Sequence, residues 1–187
     1  MDIKKILSSI GFLGILLILC ACPSSRNEDC NDEGSQAWVD NLIKISPLKS
    51  TYQQGEEITI QCSIPSENNF FGGVTRDIFN ETNDANGRLT LASYLNKDLY
   101  TNNQISYLTG SLAENTMGWF NMPYNVSTKN YELHLKIKLN RVGSYKIGSS
   151  INSQYIDFQG TSYCNRMRIN TGIQGGDTTG NIEFIVQ

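Results

Sequence analysis

The stretch Tyr131–Leu139 (YELHLKIKL) decides the fold class of this protein. Apolar and polar side chains alternate along it residue by residue. A period of two over this length is typical of a β-strand that has one face in a hydrophobic core and the other in water. We therefore predict an antiparallel strand whose polar face places His134 in solvent, between Glu132 and Lys136.

The same alternation recurs on both sides of this stretch. Glu57–Ile64 repeats it, with Ile58, Ile60, Cys62 and Ile64 on one face. Further strands are predicted at Asn41–Ser46, Arg88–Leu95, Ile105–Ala113, Ser144–Ile151, Gln154–Phe158, Arg166–Ile169 and Asn181–Gln187. Glycine and asparagine turns separate these segments, and helix-forming stretches are scarce. Short strands of this number and spacing predict an all-β fold, a single antiparallel β-sandwich.

Two long intervals lack the alternation. Ser66–Asn86 is predicted to be mostly loop, and Glu114–Lys129 to be a long aromatic loop with at most a short strand. The second interval holds the densest aromatic cluster outside the predicted strands, Trp119, Phe120 and Tyr124. These side chains are candidates for contact with a ligand. The alternative, which we favour, is that they plug one end of the sandwich, because large apolar residues are usually buried.

Two segments resemble bacterial immunoglobulin-like domains. Ser50–Ile60 (STYQQGEEITI) is similar to the opening of many such domains. Leu139–Ile147 (LNRVGSYKI) is similar to their penultimate hairpin, with a Gly-x-Tyr that resembles the tyrosine corner. True immunoglobulin domains carry a cysteine two positions after that tyrosine, and Ile147 stands there in this chain. The resemblance implies an immunoglobulin-like sandwich over residues 37–187 in which Cys62 lacks the usual intersheet partner.

The N-terminal segment has the features of a targeting peptide. Lys4 and Lys5 precede the apolar run Ile6–Ala21, which is shorter than the roughly 20 apolar residues of a membrane-spanning helix. The run ends in Leu19-Cys20-Ala21-Cys22, which resembles a bacterial lipobox. That resemblance implies a signal peptide over residues 1–21, cleavage before Cys22 and acylation of Cys22. The alternatives are acylation at Cys20, which the bulk of Leu19 disfavours, and a plain cleaved signal that leaves Cys22 unmodified.

The residues after the lipobox bear on location. Residues 22–36 are polar and predict a lipidated flexible tether. The residue after the lipid site is Pro23, where retention in an inner membrane usually requires Asp, so the resemblance favours the outer membrane. Glu28 and Asp29 resemble the export signal of surface lipoproteins of Bacteroidota, although they come somewhat later than in that pattern. The whole chain therefore resembles a small outer-membrane lipoprotein of the Bacteroidota type, exposed on the cell surface and held by palmitate-like acyl chains.

Three cysteines remain once Cys22 carries the lipid. An exported compartment permits disulfides, so one bridge and one free thiol are expected. We predict a bridge from Cys62 to Cys164 in preference to one from Cys30, because ordering the tether costs entropy without packing in return. The alternative is that all three thiols stay reduced and Cys62 packs as a small apolar residue.

Composition excludes several classes of function. The net charge is −3 and no basic patch is present, which argues against a nucleic-acid partner. The single histidine, His134, lies on a predicted regular strand, and the sequence shows no recognisable nucleophile with which it could form a catalytic triad. One histidine and scattered cysteines do not supply a zinc-ligand spacing, and no phosphate-binding loop motif occurs. We expect neither a metal site nor a cofactor and predict that the protein is not an enzyme.

The function that follows is binding at a membrane. We predict a surface lipoprotein that acts as a binding module for an unidentified glycan or protein ligand. The alternative is a structural subunit of a fimbria-like surface assembly, and a hydrolase is the weakest reading because no carboxylate pair stands out. Asp177-Thr178-Thr179 also resembles the O-glycosylation site of such exported proteins, which marks Thr178 as a candidate acceptor.

Overall fold

The computed structural model describes residues 34–94, 99–113, 118–148, 154–161 and 165–187. The strands are β1 (Ser35–Trp38), β2 (Ile43–Ser46), β3 (Thr51–Tyr52), β4 (Glu57–Pro65), β5 (Glu67–Asn68), β6 (Arg76–Asp77), β7 (Asn86–Thr90), β8 (Ser93–Tyr94), β9 (Gln104–Thr109), β10 (Ser111–Leu112), β11 (Trp119–Asn125), β12 (Asn130–Lys138), β13 (Gly143–Ile147), β14 (Gln154–Phe158), β15 (Met167–Thr171) and β16 (Ile182–Val186). Two short helices are α1 (Ile78–Thr82) and α2 (Leu99–Asn102). The predictions for the signal peptide, Cys22, Cys30 and Cys164 concern residues outside the described ranges.

The described strands form one large and two smaller sheets. The large sheet has the order β1-β15-β14-β7-β11-β12-β4-β2, with β10 beside β11 and β9 beside β12. A second sheet has the order β3-β16-β13-β8, and β5 pairs with β6. The all-β prediction is confirmed. None of the described helices is long and apolar enough to cross a membrane.

The sheets are mixed, which corrects the prediction of a purely antiparallel sandwich. β1 runs parallel to β15, and β3 runs parallel to β16. Antiparallel neighbours arise naturally where a short turn joins consecutive strands. No turn joins the members of these two pairs, because each pair combines a strand from the start of the domain with one from its end, so local sequence does not set their relative direction.

The longest pairing in the large sheet is the one between β4 and β12. Their residues are aligned from Asn130 opposite Pro65 to Lys138 opposite Glu57. The apolar positions of both strands are buried and the intervening positions are more accessible, as the alternation predicts. Fully burying one aliphatic side chain of this size contributes about 1.5–3 kcal/mol. These two strands therefore supply a large share of the core.

The aromatic interval is where the sequence prediction fails. β11 is a regular strand and pairs with β7 from Trp119 opposite Thr90 to Pro123 opposite Asn86. Its inward positions Phe120 and Met122 are fully buried. The outward positions include Trp119 and Pro123, which are also apolar, so the period of two disappears from the sequence although the strand is present.

Two other boundaries differ from the prediction. Ser35 and Gln36 were assigned to the tether and instead belong to β1. The interval predicted to be mostly loop contains β5, β6 and α1. Asp77 caps α1 by accepting a hydrogen bond from the Asn80 amide, and Asn83 ends the helix in the left-handed conformation.

The structure gives no support to the predicted disulfide. Cys62 is a buried free thiol on β4, opposite Leu133 of β12 and Ile43 of β2. Burial raises the pKa of this thiol to about 12, so it stays protonated and packs as a small apolar group. The other half of the pair, Cys164, lies outside the described residues.

Tyr145 anchors the second sheet in the way the tyrosine-corner resemblance implies. Its hydroxyl donates a hydrogen bond to the Arg141 carbonyl at 2.8 Å. Its ring stacks on Phe184 of β16, with centroids 5.4 Å apart. Tyr52 packs against the same Phe184 edge-on and donates its hydroxyl proton to the Pro47 carbonyl at 2.6 Å. The three rings form the aromatic centre of this sheet.

Candidate functional site

The three aromatic residues predicted from the sequence do not act together. Phe120 is fully buried against Tyr100, which agrees with the alternative that we favoured, and its side chain is not accessible to a ligand in this structure. Tyr124 is half-buried and stacks on Phe79, with centroids 4.1 Å apart. Trp119 lies on the opposite face of β11 and is half-buried. Successive residues of a strand point to opposite faces, and this alternation separates Trp119 from Phe120.

Trp119 belongs instead to a row of residues that crosses five strands on the outer face of the large sheet. The aromatic row, as we name it, consists of Trp38, Asn170, Tyr155, Thr90 and Trp119. Each is directly opposite the next in the strand register, and residues opposite one another share a face. Three of its five members are aromatic, and two polar residues alternate with them.

The aromatic side chains of this row are all at least partly accessible. Trp38 is 64% exposed, and Tyr155 and Trp119 are half-buried. Trp119 and Tyr155 meet edge to face with centroids 6.0 Å apart. Neighbouring strands lie about 4.8 Å apart, so one intervening strand separates each aromatic position from the next by about 10 Å. The row therefore offers a repeating aromatic surface rather than a single exposed ring.

A second row runs beside the first on the same face. The polar row consists of Gln36, Arg168, Asp157, Arg88 and Asn121, each opposite the next. The two rows are in contact, because the Arg168 guanidinium lies over the Tyr155 ring at 4.3 Å from its centroid. A cation in that position is attracted to the ring face and holds its orientation.

Asp157 organises the charges of the polar row. Its side chain is only 1% exposed, and it accepts from Arg168 Nε at 2.9 Å and from Arg166 Nη2 at 2.5 Å. A second bond from Arg168 Nη2, at 3.1 Å, completes a bidentate pair. Burial by itself would raise the pKa of Asp157, but the two guanidinium groups outweigh it and hold that pKa below its ordinary value. One carboxylate thus neutralises only one of two arginines.

The Trp38 end of the aromatic row opens into a cleft of about 350 Å³. The Trp38 indole donates to Asp40 Oδ1 at 2.7 Å, which fixes the ring at the rim. The opposite wall is the glycine-rich segment 172–180. A second depression, of about 430 Å³, is also lined by Gly175 and Asp177 of this segment and lies beside Lys49 and Glu183. The glycine-rich segment therefore borders two concave surfaces.

Asp177 holds this segment in shape. Its Oδ1 accepts from the Thr179 amide, the Thr179 hydroxyl and the Asn181 amide, at 2.8, 2.7 and 3.0 Å. The hydrogen bond from the Thr179 side chain is the main reason that the pKa of Asp177 is lowered. Thr178 is exposed at the tip and lines the Trp38 cleft. A modifying enzyme requires an accessible hydroxyl of this kind, and glycosylation of Thr178 stays a prediction.

The described part of the chain contains few side chains in arrangements suited to catalysis or metal binding. His134 lies on the polar face of β12, where its Nε2 is 3.3 Å from the Gln61 side-chain nitrogen. Among the described residues, no cluster of histidine, cysteine, aspartate or glutamate is close enough to hold a metal ion. The chemistry that the described surface offers is stacking, hydrogen bonding and positive charge.

Sequence reasoning found only Trp119 among the residues of the two rows. Tyr155 and Asp157 were predicted to lie on a strand, and so were Arg88 and Arg168, but nothing local indicated that they are neighbours. The available signal was side-chain alternation within each strand, because each of these residues stands between two buried neighbours. The order of the strands in the sheet is needed to show that these outward positions form one surface.

Comparison with known proteins adds little. No family model matches the chain, and no curated protein matches it. One solved structure to which it is similar is the human F-spondin reeler domain, fragment 1, with 6% identity and a TM-score of 0.41. That similarity covers 83% of this chain and 96% of the reeler-domain chain. At this level it carries no inference about what the protein binds or does.

Proposed function

We propose that the protein is a lipid-anchored outer-membrane protein of the cell surface, and that it binds a glycan through the aromatic and polar rows. The observation that carries the proposal is the outward row of Trp38, Tyr155 and Trp119. The anchor is the acylated Cys22, inferred from the resemblance to a lipobox. Several acyl chains on one residue would give stable attachment, because each buried methylene contributes about 0.8 kcal/mol.

The chemistry of the rows favours a saccharide. Sugar rings have an apolar face of C–H groups that stacks on aromatic side chains, and their hydroxyls need hydrogen-bond partners. The aromatic row supplies three rings, while Asn170 and Thr90 stand between them and Asn121 lies in the adjacent row. Binding sites typically combine apolar or aromatic surface with a few placed polar groups. A row that crosses five strands suits an extended chain of sugars better than a compact small molecule.

The fold we propose for the display of this face is an immunoglobulin-like sandwich. The support is the Tyr145 hydrogen bond to Arg141, together with the Ser50–Ile60 segment that resembles the opening of such domains. The tether would join the domain at Ser35, at the start of β1. Because β1 runs from Ser35 to Trp38, the Trp38 cleft lies at the opposite end of this strand from Ser35.

A binding assay on the anchor-free domain tests the glycan proposal. The domain is applied to a broad array of polysaccharides, and the affinity for any that bind is measured by titration calorimetry. Trp38→Ala and Trp119→Ala should each weaken binding about tenfold, the effect of losing about 1.4 kcal/mol of stacking. Ile185→Ala is the matched control, because Ile185 is 50% exposed on the second sheet.

Each alternative predicts a different result. Undiminished binding in both tryptophan variants would place the glycan elsewhere, and a complete absence of glycan binding would reject the proposed function. A structural subunit would instead polymerise as its concentration rises, and a hydrolase would shorten the polysaccharide. The anchor is tested separately, by mass spectrometry of the mature N-terminus: an unmodified Cys22, or an intact segment 1–21, would reject it.

A further inference from the structure

We infer that the glycan bound by this protein is an acidic one, whose carboxylates are held by Arg88. This inference rests on the proposed function and goes beyond it by naming the chemical class of the ligand. Arg88 stands in the middle of the polar row, directly opposite Asp157 on one side and Asn121 on the other. On β7 it lies two residues before Thr90, so it stands in the row directly beside the one that holds Tyr155 and Trp119.

The neighbouring carboxylate of Asp157 pairs with two other arginines and not with Arg88. Both oxygens of Asp157 are occupied, Oδ1 by Arg168 and Oδ2 by Arg166 and Arg168. Among the described residues no carboxylate lies within ion-pair distance of the Arg88 guanidinium, although the side chain is half-buried. A partly desolvated guanidinium without a counter-ion readily binds an anionic group, to which it donates hydrogen bonds.

The charge around Arg88 favours an anion further. Arg88, Arg166 and Arg168 face the single carboxylate of Asp157, so the middle of the face carries two positive charges in excess. The chain as a whole has a net charge of −3, which makes this face opposite in sign to the molecule. The acidic residue Asp40 lies at the Trp38 end of the aromatic row, where it accepts from the indole. Charge complementarity therefore selects a carboxylate-bearing sugar near Arg88.

The geometry of the side chain suits a carboxylate in particular. A guanidinium presents parallel N–H donors that match the two oxygens of a carboxylate, whereas a lysine ammonium acts as a point charge. The rings of the adjacent aromatic row would stack on the sugar while the Arg88 guanidinium binds its carboxylate. A uronic acid has both features in one residue. Stacking and ion pairing would then act on the same unit of the polysaccharide.

The test compares matched polysaccharides that differ only in charge. Polygalacturonate, alginate and hyaluronan are each assayed beside their carboxyl-reduced forms, in which the same backbone is neutral. The native domain should bind at least one acidic polymer ten times more tightly than its reduced form. Arg88→Met should abolish that preference, so that the variant binds the acidic and reduced forms about equally, and Arg88→Lys should recover only part of the preference. Thermal melting of both variants establishes that they are folded.

The possible outcomes separate this inference from the proposed function. Equal binding of acidic and reduced forms, or binding of neutral polysaccharides alone, overturns the acidic ligand and leaves a glycan-binding protein. A preference that survives in Arg88→Met overturns the role of Arg88. Equally tight binding of polyglutamate indicates charge alone and overturns the sugar. Binding to no polysaccharide rejects the proposed function itself.

Discussion

At the scale of single residues, Asp157 is the group on which the candidate site depends most. Its carboxylate is almost fully buried and joins Arg166 and Arg168, which are each a little over a quarter exposed. A buried carboxylate is stabilising only while its partners remain in place. Here the partners also carry the positive charge of the face and fix the Tyr155 ring. One residue therefore links the stability of the domain to the geometry of its surface.

Replacing Asp157 should destabilise the domain. Asp157→Asn leaves two guanidinium groups without their carboxylate, and we expect a loss of about 2–4 kcal/mol in the free energy of unfolding. Urea denaturation measures this loss. Glu57→Gln is the matched control, because Glu57 is exposed on β4 and should change the stability by less than about 0.5 kcal/mol. Equal stability of the two variants would show that the ion pairs contribute nothing.

The same carboxylate predicts a dependence of stability on pH. The pKa of Asp157 is lower in the folded protein than its ordinary value, so the folded state favours the ionised form. Its contribution is complete above the unfolded pKa of about 3.9 and is lost as the pH falls through the folded pKa. Between pH 5 and pH 2 the native domain should therefore lose more stability than Asp157→Asn does. Parallel curves for the two proteins would contradict this assignment.

Cys62 provides a second prediction at this scale. Its thiol is buried and its pKa is raised to about 12, so alkylating reagents should not modify it in the folded domain. Unfolding in denaturant without a reductant should expose a thiol that reacts completely. Peptide mapping by mass spectrometry measures the modification. A peptide that links Cys62 to Cys164 would instead restore the disulfide predicted from the sequence.

At the scale of elements, the corner between β9 and β10 depends on a glycine. Gly110 has φ of +89°, and a Cβ there would lie 2.6 Å from the Asn121 carbonyl oxygen and 2.6 Å from Leu133 Cδ1. The first contact is with the backbone of β11 and the second is with a core residue of β12. The chain passes here from pairing with β12 to pairing with β11, and only a residue without a side chain fits between the two strands.

Gly110→Ala should therefore destabilise the domain by about 2 kcal/mol or more, from a strained backbone conformation and the displacement of β11. Gly55→Ala is a close control: Gly55 has φ of +91°, but a Cβ there meets nothing within 4 Å. The loss of unfolding free energy in Gly55→Ala should therefore reflect the strained backbone conformation alone. Thermal or urea unfolding of the two variants gives the difference. Equal losses would mean that the space around Gly110 is not limiting.

At the scale of the whole molecule, strands from the two ends of the domain meet. Ile43 of β2 pairs with Ile173, which follows β15, and its carbonyl accepts from the Gln174 amide at 2.8 Å. β1 lies beside β15 as well. This meeting places the glycine-rich segment next to Trp38 and forms the cleft at the end of the aromatic row.

The proposed location leads to a prediction about intact cells. A domain on a polar tether of 13 residues, 22–34, would stand on the order of 20 Å from the lipid, within reach of external protease. Treating intact cells with protease should remove the domain while an internal marker protein survives. Protection of the domain until the cells are lysed would place it on the inner side of the outer membrane.

The sequence by itself determined the fold class and the burial of most strands. Period two is a local property, so Tyr131–Leu139 and Glu57–Ile64 could be assigned from their own residues. β11 was missed because Trp119 and Pro123 make its outward face apolar, and the Cys62–Cys164 pairing had no local basis because chain separation says nothing about distance. The resemblance to a lipobox is likewise confined to four consecutive residues.

Only the tertiary structure decided which outward residues are neighbours. Trp38, Tyr155 and Trp119 are far apart in the chain, and they form one row because β1, β15, β14, β7 and β11 are adjacent in this order. Strand order depends on the packing of the whole core and on hydrogen bonds between distant segments, whereas side-chain alternation depends only on each strand. That Arg88 has no ion-pair partner among the described residues follows from the same cause, since its neighbour Asp157 is held by two arginines from β15 and the segment before it.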